Sequence, residues 1–247
     1  MRIWIQGETE MDCFLRKICA ARGMVLSAPA ACDAAVLSFP YSSVAEELAE
    51  SFPPGQKIIC GFLDKNTYQI SKEKNWILLE PLKDEAYLAE NAKLTAEGAI
   101  AAAMGKMSLA IQDAKCLIIG YGRIGKTLTR LLRSLGADVT VAARREASRK
   151  EAGENSIPIN RIQSEIKNMD LILNTVPKSV LSEFGLLSIK NTAFLFELAS
   201  KPYGFDLARA KALGLRAYLE SGIPGGYCPE SAAGALFRFI ERSVQIE

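Results

Sequence analysis

Short apolar runs alternate with amphipathic stretches along the whole chain. An apolar run bounded by turn residues reads as a strand buried on both faces, and apolar residues spaced i, i+3, i+4, i+7 read as one face of a helix. In the first half the pattern predicts strands over Arg2–Gln6, Met24–Ser27, Ala34–Phe39, Lys57–Gly61 and Trp76–Leu79. Helices are predicted over Glu10–Ala21, Ser43–Ser51 and Thr67–Lys72. The first of these carries Met11, Phe14, Leu15 and Ile18 on one face, and Pro53-Pro54-Gly55 stops the second. From Asp84 to Lys106 an alanine-rich stretch without proline predicts one long helix. Beyond it, strands are predicted over Lys115–Ile119, Asp138–Ala142, Leu171–Asn174, Phe194–Glu197 and Arg216–Leu219. The helices among them are Ile124–Leu135, Arg161–Asn168, Leu207–Ala212 and Ser231–Arg242.

This alternation is the βαβ signature of a parallel sheet covered on both faces. The predicted fold class is therefore α/β, with two doubly wound parallel-sheet domains and a cleft between them. Residues 1–93 form a shortened flavodoxin- or Rossmann-like domain, residues 94–247 a Rossmann NAD(P)-binding domain, and helix 84–106 links the two.

Composition narrows the functions open to such a fold. The 247 residues carry a net charge of +2, with no basic run longer than a pair, which argues against a surface that tracks nucleic-acid phosphates. No apolar stretch approaches the roughly 20 residues of a membrane-spanning helix. The start, Met1 to Gly7, reads as a strand whose apolar part is too short for a signal-peptide core. A cytoplasmic protein that binds neither membrane nor nucleic acid is expected. Six cysteines form no C-x-x-C pair, and in apolar runs such as Ile58-Ile59-Cys60 they read as reduced core residues. There is no histidine. That removes Ser-His-Asp and Cys-His catalysis, the histidine base of 2-hydroxyacid dehydrogenases, and most zinc sites.

Gly120-Tyr121-Gly122-Arg123-Ile124-Gly125 places G-x-G-x-x-G directly after a predicted buried strand and at the start of a helix. In that context Gly120 permits the turn, Gly122 lets backbone approach a diphosphate, and Gly125 lets the helix pack on the sheet. The helix start, with Arg123 and Ile124, offers free N–H groups to phosphate. At the end of the next strand an NAD site needs Asp or Glu for the ribose 2′-hydroxyl. This chain has Ala142-Ala143-Arg144-Arg145 there, and two guanidiniums without a carboxylate favour the 2′-phosphate of NADP(H). The nicotinamide end is expected along the later strand ends. These read Asn174-Thr175-Val176-Pro177, then Ala199-Ser200-Lys201-Pro202, then Ser221-Gly222-Ile223-Pro224-Gly225-Gly226.

Together with Leu94-Thr95-Ala96-Glu97-Gly98-Ala99 and Leu198 to Asp206, these segments resemble the family of dipicolinate synthase A-type chains, from about Leu94 onward. The resemblance implies NADP-linked oxidation of dihydrodipicolinate to dipicolinate, as in spore-forming bacteria, on a small dicarboxylate substrate. It also implies a partner, the flavoprotein-like B chain of that enzyme, and a homo-oligomer is expected. Tyr203-Gly204 stands where the family has Gly-Gly, and Glu230 lies near a basic residue of the family. Aromatising a dihydropyridine dicarboxylate removes a hydride and a proton, so the protein mainly has to position the ring and neutralise carboxylates. Lys201 is the candidate carboxylate ligand, and Glu97 and Thr95 on the long helix are candidate catalytic groups. Cys228 and Tyr227 read as packing or exposed residues. Two alternatives stay open: another small NADP-dependent dehydrogenase acting on a carboxylate or cyclic imine, and a non-catalytic NADP-binding subunit of a flavoprotein.

Overall fold

In the computed structural model, which describes residues 1–244, the first half builds a parallel sheet from strands whose side chains are apolar toward both faces. Its strands are β1 (Arg2–Ile5), β2 (Val25–Leu26), β3 (Ala34–Val36), β4 (Tyr41–Ser42), β5 (Lys57–Ile59), β6 (Phe62–Leu63) and β7 (Ile77–Leu79). The sheet runs β2-β1-β3-β5-β7, while β4 and β6 pair separately. Among the helices α1 (Glu10–Ala21), α2 (Glu46–Glu50) and α3 (Lys65–Glu73), local capping sets the starts. The Thr9 hydroxyl accepts from Asp12 N–H, and the Asp12 carboxylate accepts in return from Thr9 N–H at 3.0 Å. Asp64 accepts from Thr67 N–H at 2.8 Å, so α3 starts two residues before the predicted Thr67. α2 begins later than predicted, because Val44 N–H donates to the Thr67 hydroxyl at 3.0 Å and holds that segment extended.

The long helix α4 (Glu85–Lys106) leads into the second sheet, made of β8 (Lys115–Ile119), β9 (Asp138–Ala143), β10 (Ser156–Pro158), β11 (Leu171–Asn174), β12 (Phe194–Glu197) and β13 (Arg216–Leu219). All pairings are parallel, in the order β10-β9-β8-β11-β12-β13. Counted from β8, this is the 3-2-1-4-5-6 order of the doubly wound dinucleotide-binding fold. Cys116 and Ile118 enter one core, with Ala96, Ala99 and Ala103 of α4, while Leu117 and Ile119 enter the core on the other face. The helices here are α5 (Arg123–Ser134), α6 (Glu146–Ala152), α7 (Ile162–Glu165), α8 (Glu183–Leu187), α9 (Leu207–Ala212), α10 (Ile223–Tyr227) and α11 (Pro229–Val244). The predicted helix Arg161–Asn168 is α7 flanked by 3₁₀ turns.

Two compact units emerge: Met1–Asn91 with the chain from Pro224 onward, and Ala92–Ile223. This differs from the sequence reading, which groups 94–247 together. The reason lies in α11, whose buried face (Ala233, Leu236, Phe239 and Ile240) packs within the first unit. There the Phe239 ring meets Tyr87, Arg238 pairs with Glu90, and Arg242 pairs with Asp84.

Candidate functional site

The site grows from the turn that ends β8. Gly120 has φ +103°, a value that L side chains rarely adopt, and a Cβ there would lie 2.4 Å from Thr175 Oγ1 and 2.8 Å from Val176 Cγ2. Gly125 lies on backbone: a Cβ would stand 2.2 Å from the Gly120 carbonyl oxygen. Gly122 differs, because a Cβ there would meet nothing within 4 Å. It is the N-cap of the twelve-residue α5 and supplies no side-chain cap. Bare backbone facing open space at a helix start fits a diphosphate, with the first-turn N–H groups as donors.

A groove of about 700 Å³ opens over this turn, all of it within the second unit. Gly120, Tyr121 and Gly122 form one wall, and Arg144, Arg145 and Ser148 line the end of β9. Asn160, Ile162 and Gln163 lie beyond β10, and the stretch Val176–Ser182 closes the other side. The lining holds three cations (Arg144, Arg145 and Lys178) and no carboxylate. The nearby acids of α6 are engaged elsewhere: Glu146 pairs with Lys150 at 2.9 Å, and Glu151 with Lys126 at 2.6 Å.

Of the residues singled out from the sequence, the groove gathers Gly120, Gly122, Arg144, Arg145, Val176 and Pro177. Arg123, Ile124, Gly125, Asn174, Thr175, Ala199, Ser200 and Pro224 do not line it. Several of these act beneath it. Ile124 packs against the core, and the Thr175 hydroxyl donates to the Ile119 carbonyl at 2.9 Å. Pro224 lies in α10, where the first unit resumes. Lys201 is exposed, with Nζ 5.9 Å from the centre of the Tyr203 ring. On α4, Glu97 is exposed and Thr95 buried.

Sequence reasoning missed Ser148, Gln163 and Lys178 in the lining, and also Glu197. The signal for Glu197 was present, since a lone acid interrupts the apolar run Phe194 to Leu198. Glu197 is fully buried at the end of β12 and has three donors. Oε1 accepts from Asn174 Nδ2 at 2.7 Å and from Ala199 N–H at 2.9 Å, and Oε2 accepts from Gly204 N–H at 2.8 Å. Burial raises its pKa above the ordinary carboxylate value, and the three hydrogen bonds pull the other way. Asn174 passes the constraint on, with Nδ2 donating to the Val176 carbonyl at 3.0 Å and Oδ1 accepting from Val176 N–H at 3.2 Å. One carboxylate thus ties together the loops that follow β11 and β12.

Comparison with known proteins agrees with this architecture. The family model for the NAD binding domain of D-isomer specific 2-hydroxyacid dehydrogenases matches residues 84–199. That stretch has a dehydrogenase-type fold for a nicotinamide dinucleotide. The A-type chain of dipicolinate synthase from Bacillus subtilis (strain 168) is 30% identical over 155 residues, 62% of this chain and 52% of the relative, so the match spans about half of that protein's length. The crystal structure of the corresponding dipicolinate synthase chain from Bacillus halodurans superposes with TM-score 0.88 at 23% identity, covering 100% of this chain and 98% of that one. A transhydrogenase from Sinorhizobium meliloti superposes with TM-score 0.73 at 13% identity, covering 99% and 95% of the two chains.

Proposed function

Starting from the similarity to the A-type chain of dipicolinate synthase, we propose that this protein is an NADP-linked oxidoreductase that converts a dihydropyridine dicarboxylate of the dihydrodipicolinate type into the aromatic pyridine. The observation that carries the proposal is the groove beside the glycine turn, where Arg144, Arg145 and Lys178 stand without a carboxylate. Guanidiniums hydrogen-bond a phosphate dianion well, whereas an NAD site would present an acid to the ribose 2′-hydroxyl. Gly122 and the first turn of α5 would hold the diphosphate. The bound dinucleotide supplies the hydride acceptor.

The absence of histidine guides the choice of reaction. A 2-hydroxy acid needs a base for its hydroxyl proton, and the histidine base of 2-hydroxyacid dehydrogenases is missing here. Loss of hydride from a dihydropyridine is driven by aromaticity, so positioning and charge neutralisation are the main needs beside an acceptor for the ring proton. Lys201, exposed and without an ion pair among the described residues, neutralises a substrate carboxylate in this reading. Glu97, exposed on α4, accepts the ring proton, and Thr95 supports that segment of the helix. Glu197 and Asn174 keep the two loops on either side in register. Since the relative is one of the subunits of its enzyme, a flavoprotein-like second chain is the proposed partner.

Titration calorimetry tests the cofactor. NADPH is expected to bind at least about tenfold more tightly than NADH, and replacing Arg144 and Arg145 with alanine is expected to remove most of that preference. Equal affinity in the wild-type chain would overturn the NADP assignment. Formation of dipicolinate and NADPH from dihydrodipicolinate and NADP⁺, with and without the partner chain, tests the reaction.

A further inference from the structure

Three basic residues and one serine share the turn after β9, and the structure separates their tasks. Arg149 does not face the groove. Its Nη1 donates to the carbonyls of Ala143 at 3.1 Å and Arg144 at 2.8 Å, which braces the strand end from which Arg144 and Arg145 project. Among the described residues the Ser148 side chain makes no hydrogen bond. Yet Ser148 is only 9% exposed, and it lines the groove beside Arg144 and Arg145. It stands in the first turn of α6, three and four residues beyond Arg145 and Arg144. A hydroxyl with a donor and two lone pairs to offer can there meet a ligand group in the groove.

We propose that the Ser148 hydroxyl is a direct ligand of the cofactor's 2′-phosphate, completing a site with the Arg144 and Arg145 guanidiniums, and that Arg149 is the residue that positions it. The inference rests on reading the groove as an NADP site. It makes dinucleotide specificity depend on a residue that the arginine pair alone does not reveal. A phosphate monoester suits these groups, since two forked cations and one hydroxyl all donate, and the groove lining supplies no competing carboxylate. An adenine edge or an unphosphorylated ribose would leave the guanidiniums unmatched.

The test titrates NADPH and NADH into the full chain as wild type, S148A, S148D and R149K. In S148A the NADPH dissociation constant is expected to rise about tenfold, the scale of one lost hydrogen bond to a charged group, with NADH binding within about twofold of wild type. S148D should turn the preference toward NADH, because a carboxylate repels the 2′-phosphate and accepts from a 2′-hydroxyl. R149K, whose single ammonium lacks the guanidinium fork, should weaken NADPH more than NADH. NADH binding serves as the internal check that each variant is folded. Unchanged NADPH affinity in S148A, with wild type still preferring NADPH, would overturn the assignment of Ser148, as would equal losses for both cofactors. A wild-type chain without preference would instead overturn the NADP reading itself, and this inference with it.

Discussion

Glu197 shows how much of this site is settled by one side chain. Three N–H donors converge on its carboxylate, and no cation is among its hydrogen-bond partners. Alanine would leave those donors buried and unmatched, at about 1–3 kcal/mol for each one that water cannot reach. Glutamine keeps the shape but turns an N–H toward another N–H. Glu197→Ala is therefore expected to destabilise the chain by several kcal/mol, and Glu197→Gln by about 1–3 kcal/mol, in denaturant unfolding. The pH dependence has a definite sign. A carboxyl group whose pKa is raised by burial adds stability below its unfolded value, and this is lost as pH rises through the folded value. The advantage of wild type over Glu197→Gln should then shrink as pH rises from about 4 toward 7. An advantage that grows over that range would mean that the hydrogen bonds outweigh burial. The sequence displays the acid inside an apolar run, but its partners lie 23 residues away at Asn174 and 7 away at Gly204. Arg144 and Arg145 were legible because their meaning depends on local spacing after the glycine turn. Ser148 was not, because a serine in the first turn of a helix carries no local mark of the groove that it lines.

The strand, turn and helix from Lys115 to Ser134 form the most legible part of the molecule. β8 is buried on both faces and so appears as an unbroken apolar run, and the three glycines mark the turn. Their roles predict opposite outcomes for the same substitution. Gly125→Ala puts a methyl 2.2 Å from a backbone oxygen, so α5 must move off β8. A loss of stability on the order of 1–3 kcal/mol is expected, as for overpacking elsewhere. Gly122→Ala meets no atom and sits at φ −89°, so it should lose only the small N-cap preference of glycine over alanine, less than Gly125→Ala, while dinucleotide affinity falls. Thermal unfolding and NADPH titration of the two variants check this, and a Gly122→Ala as destabilised as Gly125→Ala would refute the division of labour. Elements missed from the sequence lacked this two-sided burial. β10 is an edge strand of three half-buried residues ending in Pro158, so it shows no continuous apolar run. α10 contains Pro224, Gly225 and Gly226, residues that disfavour helix. Its local sequence reads as a loop, and the helix comes from its tertiary setting.

The parallel α/β character of both sheets follows from patterning, yet the partition of the chain into units does not. α11 comes directly after the second sheet, and an amphipathic helix carries no record of which sheet its apolar face will cover. In the structure its Leu236 is fully buried within the first unit, so the two ends of the chain stabilise one body. The ion pairs Arg238–Glu90 and Arg242–Asp84 are partly solvent-exposed and add little beside that burial. Leu236→Ala is accordingly expected to cost about 2–5 kcal/mol, as large-to-small changes in cores do. Its effect should be confined by architecture. Amides of α1 and α11, both in the first unit, should exchange faster with solvent deuterium, because local opening there becomes cheaper. Saturating NADPH stabilises whatever binds it in proportion to occupancy, so β8, β9 and β11 should gain protection in wild type and variant alike. If the variant instead loosens Ala92–Ile223 as much as the first unit, or if NADPH protects α1 and α11 as strongly as β8, the two bodies unfold as one and the groove does not belong to the second unit alone.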